Sequence, residues 1–131
     1  MSTHRFAQIV QTLRAFAELV LFDVYLSRGN FAGLYERVRL LPVDAKKSDL
    51  SVVHAVCRAV DIACICYWKR VLCLQRSAAT TCLLKKHGMP ATLVLGAKQM
   101  PFKAHAWVEV HGLVVNDKPY MHEIYSVLDR C

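Results

Sequence analysis

At 131 residues the chain has the length of one domain, residues 1–131, and a second catalytic or recognition domain would come from another chain. A hydrophobic fraction of 55% and a mean hydropathy of +0.27 imply either dense burial or an apolar surface that a partner covers. The formal charge of +7 favours an acidic partner, but the basic residues stand in scattered pairs such as Lys46-Lys47, Lys69-Arg70 and Lys85-Lys86 without interleaved aromatics, which argues against nucleic acid.

Met1 to Arg5 runs straight into an amphipathic pattern with no secretory signal, so the six cysteines read as reduced thiols in a cytoplasmic protein. The longest apolar passage, Ala15 to Leu26, is broken by Glu18 and Asp23 and falls short of the ~20 residues a membrane span needs. Phe6, Ile9, Val10, Leu13, Phe16, Ala17, Val20 and Leu21 recur at helical spacing, predicting a helix over residues 4–27 that Gly29-Asn30 ends. A shorter helix from Phe31 to Leu41 stops before Pro42. Both helices read as core scaffold or as a docking face for a partner.

A polar loop covers residues 43–48, and Ser48 or Asp49 can cap the helix that follows. That helix is expected to reach about Arg70. It is apolar on most sides, through Val53, Val56, Cys57, Val60, Cys64 and Tyr67 on one stripe and Val52, Ala55, Ala59, Ile62 and Cys66 on another, so it is expected to be the central buried helix. Cys57, Cys64, Cys66 and Cys73 lack the short paired spacing of a structural zinc site. Cys57, Cys64 and Cys66 read as buried small hydrophobes, Cys82 as packing on the next helix, and no metal or cofactor is expected.

A further helix runs from Cys73 to His87, with Lys85, Lys86 and His87 in its last turn, Gly88 as the left-handed cap and Pro90 beyond. A strand over Thr92 to Leu95 is expected to end at Gly96, and a loop covers Lys98 to Lys103. Ala104 to Val110 and Leu113 to Asp117 then form a hairpin around His111-Gly112. Residues 118–122 read as a loop, and Ile124, Tyr125, Val127 and Leu128 as a last short strand. Helices first and an antiparallel sheet afterwards define an α+β domain, with residues 1–70 as helical scaffold and 71–131 as the chemical core.

The candidate site is Cys73, His105 and Asp117: a helix-opening cysteine, a strand histidine 32 residues later and an aspartate 12 residues after that. Taken singly each is an ordinary structural residue; their conjunction is what points to chemistry. A thiol attacks a carbonyl only as thiolate, so it needs a base, and that imidazole needs a third group to hold its tautomer. A cysteine in a first helical turn has exposed amides and the positive end of the dipole beside it, which lower a thiol's pKa and can receive an oxyanion. Trp107 shares the strand face of His105 and reads as a wall of the site or as core; Glu109 shares it too and is second choice as orienting group. Arg76 and Ser77 read as helix surface or as supports of the site. His4, His54, His87, His111 and His122 read as surface, cap or turn residues.

If His111-Gly112 were a two-residue turn, strict alternation would leave His105 and Asp117 on opposite faces of the sheet. A three-residue loop, Val110-His111-Gly112, would instead pair Glu109 with Leu113 and His105 with Asp117, and is therefore the expected register.

Cys73-Leu74-Gln75-Arg76-Ser77, the turn Lys86 to Ala91 into Leu93-Val94-Leu95-Gly96, Pro101-Phe102 with Ala104-His105-Ala106-Trp107-Val108-Glu109-Val110, and Val115-Asn116-Asp117 occur in one order. Together they resemble the transglutaminase-like leader peptidases of lasso-peptide biosynthesis, over roughly residues 70–128. That resemblance implies a transglutaminase-like or papain-like core and a bacterial cysteine protease that removes the leader from a ribosomally made precursor. It also implies the split form of the family, whose partners are the precursor, a separate leader-recognition protein and the lasso cyclase. The acyl-enzyme step is shared by amidases and acyl transferases, and a catalytically idle peptide-binding module is a further alternative.

Overall fold

The computed structural model describes residues 3–43 and 49–131. In chain order it comprises α1 (Thr3–Ser27), α2 (Phe31–Leu40), α3 (Leu50–Cys66), α4 (Cys73–Lys86), β1 (Ala91–Lys98), β2 (Lys103–Val110), β3 (Leu113–Val114), α5 (Met121–Ile124) and β4 (Ser126–Arg130). The expected α+β order of helices followed by a small antiparallel sheet is the observed one. Every strand pairing is antiparallel, in the order β3-β2-β1-β4.

α1 buries Ala15, Glu18, Leu19 and Phe22, a spacing that keeps one stripe against the core. Its end is a left-handed turn at Gly29 (φ 67°), after which the Asn30 amide reaches back to Tyr25 O at 2.9 Å. Asn30 then opens α2 by accepting from Gly33 N at 3.0 Å. Of the two candidate caps for α3, Asp49 accepts from Ser51 N at 3.0 Å, while Ser48 and the rest of the expected loop at 44–48 lie outside the described residues.

The central helix is α4, not α3. It touches α1, α2, α3, β1 and β2, and Gln75 and every residue from Ser77 to Lys85 are buried. Such a helix shows no amphipathic stripe, and its polar residues disguise it further. Each of those is satisfied: Gln75 Nε2 donates to Leu19 O, Thr80 and Thr81 donate back to Arg76 O and Ser77 O, and Lys85 Nζ donates to Val38 O at 2.6 Å. Burial lowers the Lys85 pKa, since water no longer stabilises its charge.

α3 presents only one side to the core, through Val53, Val56, Ala59, Val60 and Ala63, and it ends at Cys66 rather than near Arg70. Tyr67 leaves the helix in extended conformation because its ring and hydroxyl are drawn onto α1. It packs 5.3 Å from the Phe16 ring and donates to Asp23 Oδ2 at 2.6 Å, and Lys69 pairs with the same carboxylate at 2.8 Å. Cys66 is accordingly exposed, and Cys57 and Cys64 are only partly buried, whereas Cys82 is fully so. Burial raises the Cys57 thiol to about 11 and the Cys82 thiol to about 12.

β1 runs through Gly96 to Lys98 instead of ending there. A Cβ at Gly96 would stand 2.7 Å from the Trp107 ring and 2.9 Å from Tyr125 Cβ, so the glycine answers a close approach rather than a chain reversal. After β3 the chain forms α5 where a loop was expected, and the last strand starts at Ser126. Met121 and Tyr125 then close over Val94 and Trp107 as a small second cluster on the sheet face opposite α4. No described helix is long and apolar enough to cross a membrane.

Candidate functional site

α4 positions Cys73 as its first residue, half-buried, behind Leu72 at the cap. Leucine has no side-chain acceptor, so the first-turn amides are not capped from that position. At the other end the helix is stopped by Gly88 (φ 78°) and the bond from Met89 N to Leu84 O at 3.0 Å, with Pro90 following.

A groove of about 340 Å³ has Cys73 and His105 in its lining, flanked by residues 70–72 on the helix side and by Lys103 and Ala104 on the strand side. His105 Nε2 stands 2.6 Å from Asp117 Oδ2. Burial alone would raise the Asp117 carboxyl, but the hydrogen bonds from His105 and from Lys118 N, with the nearby charges of His105 and Arg76, bring it below the ordinary carboxylate range. An ionised carboxylate only accepts, so the hydrogen of this contact sits on His105 Nε2, and in a neutral imidazole Nδ1 is then the acceptor. Tyr125 stacks near the same imidazole at 5.4 Å between ring centroids, and Trp107 lies 6.3 Å away.

The register behind this contact is not the expected one. His111 (φ 52°) and Gly112 (φ 78°) form a two-residue turn, with Val110 paired to Leu113 and Glu109 to Val114. A ladder continued in that register would have opposed Asp117 to Ala106, away from His105. It is not continued. Val115 N still donates to Val108 O at 3.0 Å, but Val108 N donates to the side-chain Oδ1 of Asn116, at 2.8 Å, in place of a backbone carbonyl. β3 therefore stops at Val114 rather than Asp117, and the departing chain is free to turn Asp117 onto His105.

Arg76 and Ser77 are both engaged with this departing segment. Arg76 Nη2 donates to Asn116 O at 2.7 Å and pairs with Asp61 at 3.2 Å; Ser77 Oγ donates to Ala106 O and accepts from Asn116 Nδ2, each at 3.1 Å. Asn116 had no assigned role in the sequence reading. Its signal was the Asn116-Asp117 pair itself, two residues that disfavour strands at the end of a branched apolar run.

Trp107 is fully buried and belongs to the cluster under α5, while donating from Nε1 to Glu109 Oε2 at 2.9 Å. Glu109 is occupied as well by Arg130 at 2.7 Å and His122 at 2.5 Å, so it is committed away from His105. Among the described residues no three His, Cys, Asp or Glu side chains gather as a metal ion would require.

The model of the Transglutaminase-like superfamily matches residues 18–130. The chain belongs to that superfamily. It is also 43% identical over 56 residues to the Microcin J25-processing protein McjB of Escherichia coli, a match covering 43% of this chain and 27% of that protein. The transglutaminase-like chain thus aligns with little more than a quarter of this curated relative. No solved structure matches it.

Proposed function

We propose that this transglutaminase-like chain is a cysteine peptidase that removes the leader from a ribosomally synthesised lasso-peptide precursor. The observation that carries the reading is the 2.6 Å pairing of His105 Nε2 with Asp117, made by the same His105 that lines one groove with Cys73 of the first turn of α4. Similarity to a microcin-processing protein supports the peptide substrate.

In this mechanism the Cys73 thiol gives its proton to His105 Nδ1, and the sulfur attacks the carbonyl carbon of the scissile amide. Asp117 stabilises the resulting imidazolium through Nε2. The oxyanion of the tetrahedral intermediate meets the first-turn amides of α4, aided by the positive end of the helix dipole. When the C–N bond breaks, His105 returns the proton to the leaving amine, which departs as the new N-terminus of the core peptide. His105 then takes a proton from water, the hydroxide adds to the thioester, and the leader leaves as a free acid while Cys73 is reprotonated.

A second protein presents the leader in this reading, and exposed Phe6, Ile9 and Leu13 along α1 offer an apolar contact face for it. The test incubates the purified chain with precursor and recognition protein and follows the products by mass. Wild type yields leader acid plus core; Cys73→Ala yields neither and keeps its fold. Leader removal undiminished in Cys73→Ala would end the assignment, and a leader carrying an added amine would mark an acyl transferase instead.

A further inference from the structure

Asn116 has no acid, base or nucleophile to offer, yet it is nine-tenths buried and both polar atoms of its side chain and its carbonyl oxygen are engaged. Its Oδ1 takes the Val108 amide of β2, its Nδ2 donates to Ser77 Oγ on α4, and its carbonyl oxygen accepts from Arg76. Ser77 in turn donates to Ala106 O, on the strand that carries His105. Three pieces of chain that arrive from distant parts of the sequence are joined here: the helix that opens with Cys73, the strand of His105 and the segment of Asp117.

We propose that Asn116 is a positioning residue for the His105–Asp117 pair, a role that rests on the peptidase reading above. Two geometric requirements meet at this side chain. The two-residue hairpin dictates a register in which Asp117 would oppose Ala106, so the ladder has to be terminated just before it. A side-chain amide does so, because it supplies the acceptor that Val108 N needs while its own backbone leaves the strand. The departing segment must then be held at one height above the sheet, since a carboxylate displaced by 1 Å no longer fixes the imidazole. The bonds to Ser77 and Arg76, both on α4, set that height against the same helix that presents Cys73. Ser77 lies one turn along from Cys73, so the clamp ties the base to the nucleophile as well as to its orienting acid.

Three variants and two readouts test this. One readout is the low-field imidazole proton shared by His105 and Asp117, followed by nuclear magnetic resonance without substrate; the other is steady-state cleavage of the precursor. Asn116→Ala is expected to lose the low-field proton and to lower kcat about 100-fold with KM within about twofold, because orientation rather than binding is lost. Ser77→Ala keeps the bond to Val108 and is expected to lower kcat about tenfold with a broadened proton signal. The double variant should be no slower than Asn116→Ala, since both residues act as one unit.

A folded Asn116→Ala protein with the proton signal and kcat of wild type overturns the proposal. So does a loss of activity that only matches its loss of folded fraction while the signal persists. Should Asn116→Ala fail to fold, Ser77→Ala decides alone: wild-type kcat and an unchanged proton overturn the clamp. Because the proton is read without substrate, it answers even if Cys73→Ala retains cleavage and the peptidase reading falls.

Discussion

The two faces of the sheet solve opposite problems with alternate residues of one strand. Ala106, Val108 and Val110 of β2 point at α4 and merge with the main apolar core, which runs from α1 through α4 to the sheet. Trp107 and Glu109 point the other way, Trp107 beneath the thin cover of α5 and Tyr125, while His105, nearer the start of the strand, stacks near Tyr125 and lines the groove with Cys73. The first face is held by area removed from water, at roughly 25 cal/mol per Å². The second is held by specific pairings: Trp107 Nε1 and Arg130 on Glu109, Asp117 on His105. The contrast teaches that period-two alternation lets a short strand serve the apolar core and a polar, candidate functional face at once, provided each polar group on the second face has a named partner.

The largest effect should come from breaking the chemical pair on the second face. Asp117→Asn is expected to slow cleavage by about 100- to 10,000-fold with an unchanged circular dichroism spectrum, because an amide can leave His105 in the wrong tautomer. Stability should respond strongly to Gly96→Ala, for which Trp107 or Tyr125 must move; urea unfolding is expected to show a loss of about 1–3 kcal/mol. A control on the first face, Ala106→Gly, should weaken the strand by only about 0.5–1 kcal/mol.

Acid should weaken the second face. Burial pushes the Glu109 carboxyl up, but the hydrogen bonds from Trp107 and Arg130 and the charges of Arg130 and His122 outweigh it and hold the carboxyl below its ordinary 4.5. With the folded pKa depressed, this stabilisation is present above about pH 4.5 and is lost as the pH falls through the folded value; Asp117 follows the same sign. Glu109→Gln should flatten that acid limb of the stability curve while costing about 1–3 kcal/mol at neutral pH. A flat acid limb in the wild type would contradict this account of the cluster.

The remaining predictions concern the hairpin turn and the thiols. His111→Asn should stabilise by a few tenths of a kcal/mol and Gly112→Ala should cost about 1 kcal/mol, since both positions hold positive φ. At mild alkaline pH iodoacetamide should modify Cys66 and Cys73 ahead of Cys57 and Cys82, whose burial and raised pKa values suppress the thiolate. Peptide mass mapping reads that order directly.

Local patterns in the sequence were enough for the helix boundaries that rest on local chemistry. The Gly29-Asn30 turn, the Asp49 cap and the Gly88 stop each depend on groups within a few residues of one another, and each is where the pattern placed it. The α+β order followed from the switch in hydrophobic period, and Cys73, His105 and Asp117 were legible as a candidate set, of which His105 and Asp117 are in direct contact. Other features needed the fold. That α4 rather than α3 lies at the centre depends on what surrounds each helix: Gln75, Ser77, Thr80, Thr81 and Lys85 look like surface until partners on α1, α2 and β2, or in their own helix, satisfy them. The end of α3 was decided by Asp23, a residue more than forty positions away, drawing Tyr67 and Lys69 off the helix. The meeting of His105 with Asp117 was likewise a tertiary outcome, because alternation along a strand describes only a ladder that continues. Asn116 ended that ladder with a side-chain bond to Val108, and residues on α4 then held the chain where the carboxylate could reach.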